Sequence, residues 1–119
     1  MATSPADELR TAAQTLRERA ASATPGPWRR EDDQRRLERF VSSENGTLDI
    51  NFGYLGNNNQ ADAEYVALMD PGVGAALADW LDAEATSPVA DLHSDACRER
   101  GCTINAALAV ARQINGGAQ

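Results

Sequence analysis

The residues with the richest potential chemistry lie near the end of the chain, around its single histidine and its two cysteines. Zinc takes four N, S or O ligands in a tetrahedron, and His93, Cys97 and Cys102 would supply three, with Asp91 or Asp95 as the fourth. The spacing H-x3-C-x4-C is not that of a standard zinc knuckle, and one pair of cysteines without C-x-x-C indicates a metal only weakly. A loop that holds no metal is the favoured interpretation, so we expect no cofactor, with zinc as the alternative. A Cys–His nucleophile would also need an orienting acid and an oxyanion hole, which the sequence does not identify.

A second candidate is an arginine-rich segment followed by aromatic residues. Guanidinium forks bind phosphate bidentately, and aromatic rings beside them could stack on a base, so this segment could hold a nucleotide. The residues of this ligand-binding hypothesis are Arg29, Arg30, Arg35, Arg36, Arg39, Trp28, Phe52 and Tyr54. Glu31, Asp32 and Asp33 interrupt the segment, however. Mutual pairing of arginines and acids on a solvated turn is therefore the favoured interpretation.

The remaining charged and glycine-rich motifs indicate no catalysis. Asp79 and Asp82 are three residues apart on a predicted helix, which is typical of a solvated face. Gly72-Val73-Gly74 lacks the preceding strand and the following Lys-Ser/Thr of a phosphate loop. We therefore expect a protein that is not an enzyme.

Composition narrows the class of partner. The 119 residues carry a net charge of −7, so nucleic acid is an unlikely partner, because phosphate binding depends on an excess of Lys and Arg. All the basic residues are arginine and alanine is frequent, a composition that suits a GC-rich genome. The acidic excess lies after residue 40, where a basic partner surface or simple solubility could explain it, and solubility is the simpler explanation. No segment is long and apolar enough to cross a bilayer, and no signal peptide is evident. We expect one cytoplasmic α+β domain over 1–119, with the cysteines reduced.

The N-terminal segment predicts a helix from Pro5 to Ser22. Ser4 suits the N-cap and Pro5 the first helical position. An apolar stripe of mostly alanine follows at helical spacing, comprising Leu9, Ala12, Ala13, Leu16 and Ala20. Thr24-Pro25-Gly26-Pro27 ends this helix.

Asn45-Gly46 predicts a β-hairpin with a two-residue type I′ turn. The implied register places Val41 opposite Ile50 and Arg39 opposite Phe52, with Leu37 facing Tyr54 and Ser43 facing Leu48. On the second strand Leu48, Ile50, Phe52 and Tyr54 would share one apolar face. The partner strand, about 35–43, is poorer in apolar residues, so we expect an edge strand protected by arginines. A further strand near 28–31 is weakly indicated.

Three helices are predicted after the hairpin. Asn59 caps the first, whose inner face is Ala61, Tyr65, Leu68 and Met69. Asp70 caps the second, from Pro71 to about Ala85, which would dock through Leu77, Trp80 and Leu81. After a polar loop over 86–101, Thr103 caps the last, with Ile104, Ala107, Leu108, Ala111 and Ile114 inward and Gly116 at its end. The fold class is α+β, with an N-terminal helix, a small antiparallel hairpin or meander, and three C-terminal helices.

Several motifs together carry a family resemblance. The alanine-rich first helix is followed by Thr24-Pro25-Gly26-Pro27-Trp28, then by a short β region, by Ala61-Asp62-Ala63-Glu64-Tyr65-Val66-Ala67 and by Leu77-Ala78-Asp79-Trp80-Leu81. This combination resembles the Ead-like family of small phage proteins and short proteins of Streptomyces and their phages. The resemblance implies an accessory role in a phage or mobile element, and its motifs include no catalytic residue.

The sequence therefore favours a non-enzymatic phage or actinobacterial accessory protein that binds a host protein or a small ligand. A nucleotide-signal sponge in an anti-defence role, and a small zinc-binding or thiol protein, are the alternatives. Alanine occupies several helix faces, and a single thin sheet could not cover all of them. We therefore also expect a homodimer or another homo-oligomer. Exposed alanine from a GC-rich genome is the competing explanation.

Overall fold

The computed structural model describes residues 4–46, 48–55, 59–87, 90 and 102–117. In chain order the elements are α1 (Pro5–Ser22), β1 (Trp28–Asp33), β2 (Glu38–Ser43), β3 (Asp49–Tyr54), α2 (Gln60–Leu68), α3 (Pro71–Ala85) and α4 (Thr103–Gly117). This order confirms the predicted α+β class. The chain forms two compact units, a helical unit of Met1–Glu18 with Ala75–Gln119 and a sheet unit of Arg19–Gly74. No helix in the described part of the chain is long and apolar enough to span a bilayer.

The helical unit has an apolar core of mostly small side chains. Its buried residues are Ala6, Leu9, Ala12, Ala13, Ala78, Leu81, Ala85, Ala90, Ile104, Ala107, Leu108 and Ala111. The predicted inner face of α4 and, except for Ala20, that of α1 lie in this core, with Leu16 and Ile114 packed at its edge. Many of the alanines considered for a homodimer are therefore buried within the unit, whereas Ala106 and Ala109 remain exposed. Self-association stays a prediction.

Two details of α3 and α4 differ from the predictions. On α3, Leu81 and Trp80 belong to the core as predicted, but alanines at positions 78 and 85 take the place expected for Leu77. At α4 the N-cap is Cys102 rather than Thr103, because the Cys102 Sγ accepts a hydrogen bond from the Asn105 amide at 3.4 Å. Thr103 is the first helical residue and donates its hydroxyl to Glu84.

The three strands form an antiparallel sheet in the order β1-β2-β3. The strand predicted as an edge, β2, is therefore the central strand, and that prediction was wrong. The weakly indicated first strand exists and extends to Asp33, so the segment 29–33 is a strand rather than a solvated turn. The side chains of β2 alternate in burial. Arg39, Val41 and Ser43 are buried, and the residues that precede each of them are half-buried.

The hairpin confirms part of the predicted register and corrects its turn. Val41 pairs with Ile50 as predicted, but a bulge beyond Phe40 places Arg39 opposite Gly53 rather than Phe52. The Gly46 amide donates to the Ser43 carbonyl at 2.9 Å, and Gly46 has φ +75°. Asn45 is not among the described residues of positive φ. The turn is thus centred on Glu44 and Asn45, one residue earlier than predicted, and a left-handed glycine follows it.

The short helix α2 packs on β1 and β2 with the face opposite to the predicted one. Ala63 is fully buried and Val66 and Ala67 are half-buried. The predicted inner face is exposed instead. A nine-residue helix with apolar residues on two opposite faces can turn either face inward, and the smaller side chains allow the closer approach to the strands.

Candidate interaction surface

A buried arginine organises the sheet unit. The Arg39 side chain is only 8% exposed, and its Nε donates to the Asp32 carboxylate at 2.9 Å. Its Nη1 donates to the Asn59 side-chain oxygen at 2.8 Å. The Asn59 amide in turn donates to the carbonyl oxygens of Phe52 and Tyr54. One network therefore connects β1, β2, β3 and the start of α2, and Asn59 makes no side-chain cap bond, contrary to prediction.

These contacts set the ionisation of Asp32. The hydrogen bonds from Arg39 lower the pKa of Asp32, burial opposes them, and the charges of Arg39 and Arg30 act in the same direction as the hydrogen bonds. The sequence predicts that Arg39 protects an edge strand or binds phosphate. In the structure its side chain instead forms an ion pair with the Asp32 carboxylate inside the sheet unit. A buried arginine that is paired and hydrogen-bonded avoids the large cost of an uncompensated charge.

The other predicted ligand-binding residues are not brought into one cluster. Arg30 pairs with Glu64 at 2.8 Å, and Arg36 lies 3.9 Å from Asp33. Arg29 and Arg35 have exposed side chains. Among the described residues, the pairing with Asp32 or Asp33 that the favoured interpretation expects is observed for Arg30, Arg36 and Arg39.

The three aromatic residues of the ligand-binding hypothesis also lie in different surroundings. Trp28 is half-buried and donates its indole N–H to the Thr24 carbonyl at 2.9 Å. Phe52 is half-buried at the bulge, while the Tyr54 side chain is exposed, so the predicted single apolar face of β3 ends at the bulge. The Trp28 amide donates to Asp70, whose other oxygen caps α3 through the Val73 amide, as predicted for Asp70.

Two open depressions of about 410 and 400 Å³ lie on the sheet unit and share Glu31 and Phe40. Each is lined by three carboxylates and one arginine, which is Arg35 in the first and Arg36 in the second. An excess of carboxylates repels a phosphate group. These depressions therefore offer little to a nucleotide.

The predicted zinc ligands lie mostly outside the described residues. His93 and Cys97, with Asp91 and Asp95, fall in that part of the chain, so the structure places only Cys102. Cys102 is half-buried against the helical core and acts as an N-cap. Among the described residues no group of three or more His, Cys, Asp or Glu side chains is arranged so that it could hold a metal ion.

The acids predicted as a solvated face on α3 have a structural role. Arg17 of α1 donates to Asp79 at 2.9 Å and also to Asp82. The hydrogen bonds that Arg17 donates to Asp79 and Asp82 raise the pKa of Arg17 above its ordinary value. These carboxylates join two helices of one unit.

The feature that sequence reasoning missed is an exposed apolar stripe on α2. Tyr65 is 65%, Leu68 66% and Met69 41% exposed, and Ala61 lies on the same side. We call these four residues the α2 stripe. The sequence signal for this stripe is the position of Asp62 and Glu64, which border it on the helical wheel. Charged neighbours favour exposure of this face over the opposite face, which has the smaller side chains of Ala63, Val66 and Ala67.

Comparison of the chain with protein-family models, curated proteins and solved structures finds no match.

Proposed function

We propose that this protein is a non-enzymatic accessory protein that works by binding another protein through the α2 stripe. The observation that carries the proposal is the exposure of Tyr65, Leu68 and Met69 on one side of a single helix. Contiguous exposed apolar side chains, unlike scattered ones, mark interaction surfaces. Aromatic residues and methionine are also enriched at protein interfaces.

The setting we propose is the cytoplasm of an actinobacterium or the infection cycle of its phage, with a host protein as the target. This part of the proposal rests on the resemblance of the motifs to the Ead-like proteins and on an arginine-only, alanine-rich composition. A nucleotide sponge ranks second. The arginines it would use are paired with carboxylates at Arg39 and Arg30, or lie in acid-lined depressions at Arg35 and Arg36.

The chain offers a matched pair of variants to test this function. Leu68 on the stripe and Leu37 in the β1–β2 turn are both exposed leucines of the sheet unit. Leu68→Ser removes an exposed leucine side chain from the stripe, and Leu37→Ser removes the same side chain elsewhere. Because both are exposed, each variant should keep the wild-type circular dichroism spectrum and melting temperature to within a few degrees.

The experiment is affinity capture from actinobacterial lysate with full-length wild type, Leu68→Ser and Leu37→Ser, quantified by mass spectrometry. We expect a host protein that wild type and Leu37→Ser retain equally and that Leu68→Ser retains about tenfold less, since a buried leucine at an interface contributes more than 1 kcal/mol. An identical set of captured proteins from all three baits would contradict the proposal.

A further inference from the structure

The α2 stripe is bordered by negative charge on both sides. In a helix, residues three and four apart are neighbours, so Asp62 lies beside Tyr65 and Glu64 lies beside Leu68. Both acids are exposed. The buried face, with Ala63 at its centre, is on the opposite side of the helix. The exposed surface is thus an apolar strip between two carboxylates.

The two carboxylates differ in how far the unit itself neutralises them. Glu64 accepts hydrogen bonds from Arg30 at 2.8 Å and from the Gln60 amide at 3.1 Å. For Asp62, no arginine of the described residues lies within ion-pair distance. α2 itself contains no basic residue. Asp62 is therefore an exposed negative charge beside an exposed tyrosine.

We propose that the α2 stripe binds an amphipathic segment of a partner protein in which arginine or lysine residues border the apolar side chains. The inference rests on the proposed function and specifies the partner of the same surface. Complementary charges around an apolar contact increase association rates and exclude wrong partners. Arginine suits this border better than lysine, because its planar fork can bind a carboxylate bidentately.

The same charges argue against a second copy of this chain as the occupant. Two α2 stripes packed face to face would bring carboxylates of both copies to one interface, in a protein whose net charge is already −7. Like charges at an interface are unfavourable. A basic partner removes this repulsion and gives Asp62 the ion pair that the unit does not supply.

The test uses two synthetic 16-residue helical peptides with the same leucines at helical spacing, one with arginines beside the leucines and one with glutamates. Binding to the full-length protein is measured by fluorescence anisotropy at 150 mM salt. We expect the arginine peptide to bind at least tenfold more tightly than the glutamate peptide and Leu68→Ser to abolish that binding. We expect Asp62→Asn to weaken it about two- to fivefold, the effect of one exposed ion pair.

Asp49→Asn is the matched control, since it removes one exposed carboxylate from β3 and leaves α2 unchanged. It should leave the affinity at the wild-type value. If Asp49→Asn weakens binding as much as Asp62→Asn, the peptide responds to overall charge, and the inference is wrong. Equal binding of both peptides, dependent on Leu68, would also overturn it while leaving the proposed function in place.

Two further outcomes separate the inference from the function on which it rests. If neither peptide binds while capture from lysate still depends on Leu68, the partner's chemistry is wrong and the surface is right. If neither peptide binds and capture does not depend on Leu68, both proposals fail. Sedimentation at several concentrations completes the test, because a dimer lost in Leu68→Ser would assign the stripe to a second copy and overturn the inference.

Discussion

In the helical unit, every buried side chain among the described residues is alanine, leucine or isoleucine. In the sheet unit, three of the five buried side chains among the described residues are polar. The polar ones are Arg39, Ser43 and Asn59. The exposed large apolar residues show the opposite distribution, because all those described lie in the sheet unit. They are Leu37, Tyr54, Tyr65, Leu68 and Met69.

The difference indicates two means of stabilisation in one chain. The helical unit gains stability by burying apolar surface, which is non-directional and tolerant of small rearrangements. The sheet unit depends on hydrogen bonds of fixed geometry around Arg39, which specify one arrangement of its elements. A unit stabilised in this way can leave apolar side chains outside, where they are available to a partner.

We expect the largest loss of stability from Leu81→Ala in the helical unit. Leu81 is fully buried in the core, so truncation should lower the free energy of unfolding by about 2–5 kcal/mol through lost burial and a residual cavity. Urea denaturation followed by far-ultraviolet circular dichroism measures it, because that signal includes the helices and strands of both units. Leu68→Ala is the matched control, and its exposed side chain predicts a change within about 0.5 kcal/mol. Equal losses from both variants would contradict the burial difference.

The second effect is expected from Arg39→Met in the sheet unit. Methionine preserves most of the volume but leaves Asp32 and Asn59 without their partner, which should cost about 2–3 kcal/mol because the network is largely buried. Urea denaturation in a Trp80→Phe background follows the sheet unit through Trp28. Arg36→Met, at an exposed arginine 3.9 Å from its acid, should change stability by less than about 0.5 kcal/mol. A neutral Arg39→Met would show that apolar contacts alone hold this unit.

The same network predicts an acid sensitivity of the sheet unit. The pKa of Asp32 is lower in the folded protein than in the unfolded chain, chiefly through the Arg39 hydrogen bonds. Its contribution to stability is therefore fully present above the unfolded pKa of about 4 and is lost as the pH falls through the folded value. Sheet-unit stability measured between pH 7 and pH 2.5 should fall below about pH 4. In Arg39→Met that fall should be shallower, and an unchanged profile would mean that other carboxylates cause it.

The comparison also explains which parts of the structure could be predicted from the sequence. The bounds of α1 follow from local signals, namely a serine cap, a proline at the first position and two prolines after the end. The inner face of α4 follows from a single apolar periodicity. In α2 the periodicity permits two faces, and the choice depends on contacts with β1 and β2. The burial of Arg39 likewise depends on Asn59, twenty residues away, which no local pattern indicates.

The smallest expected changes in stability come from the backbone conformation of one glycine in each unit. Gly46 in the hairpin and Gly116 in α4 both have open space where a Cβ would lie, so an added methyl group causes no clash at either position. Gly46 has φ +75°, a region that alanine enters at a cost, and Gly46→Ala should lower stability by about 1 kcal/mol. Gly116 lies in the last turn of a helix, where alanine is the better helix former, and Gly116→Ala should raise stability by up to about 1 kcal/mol. Thermal denaturation of the two variants should therefore shift the melting temperature in opposite directions. Stabilisation by Gly46→Ala would show that this residue does not adopt a left-handed conformation, and the corrected turn would then be wrong.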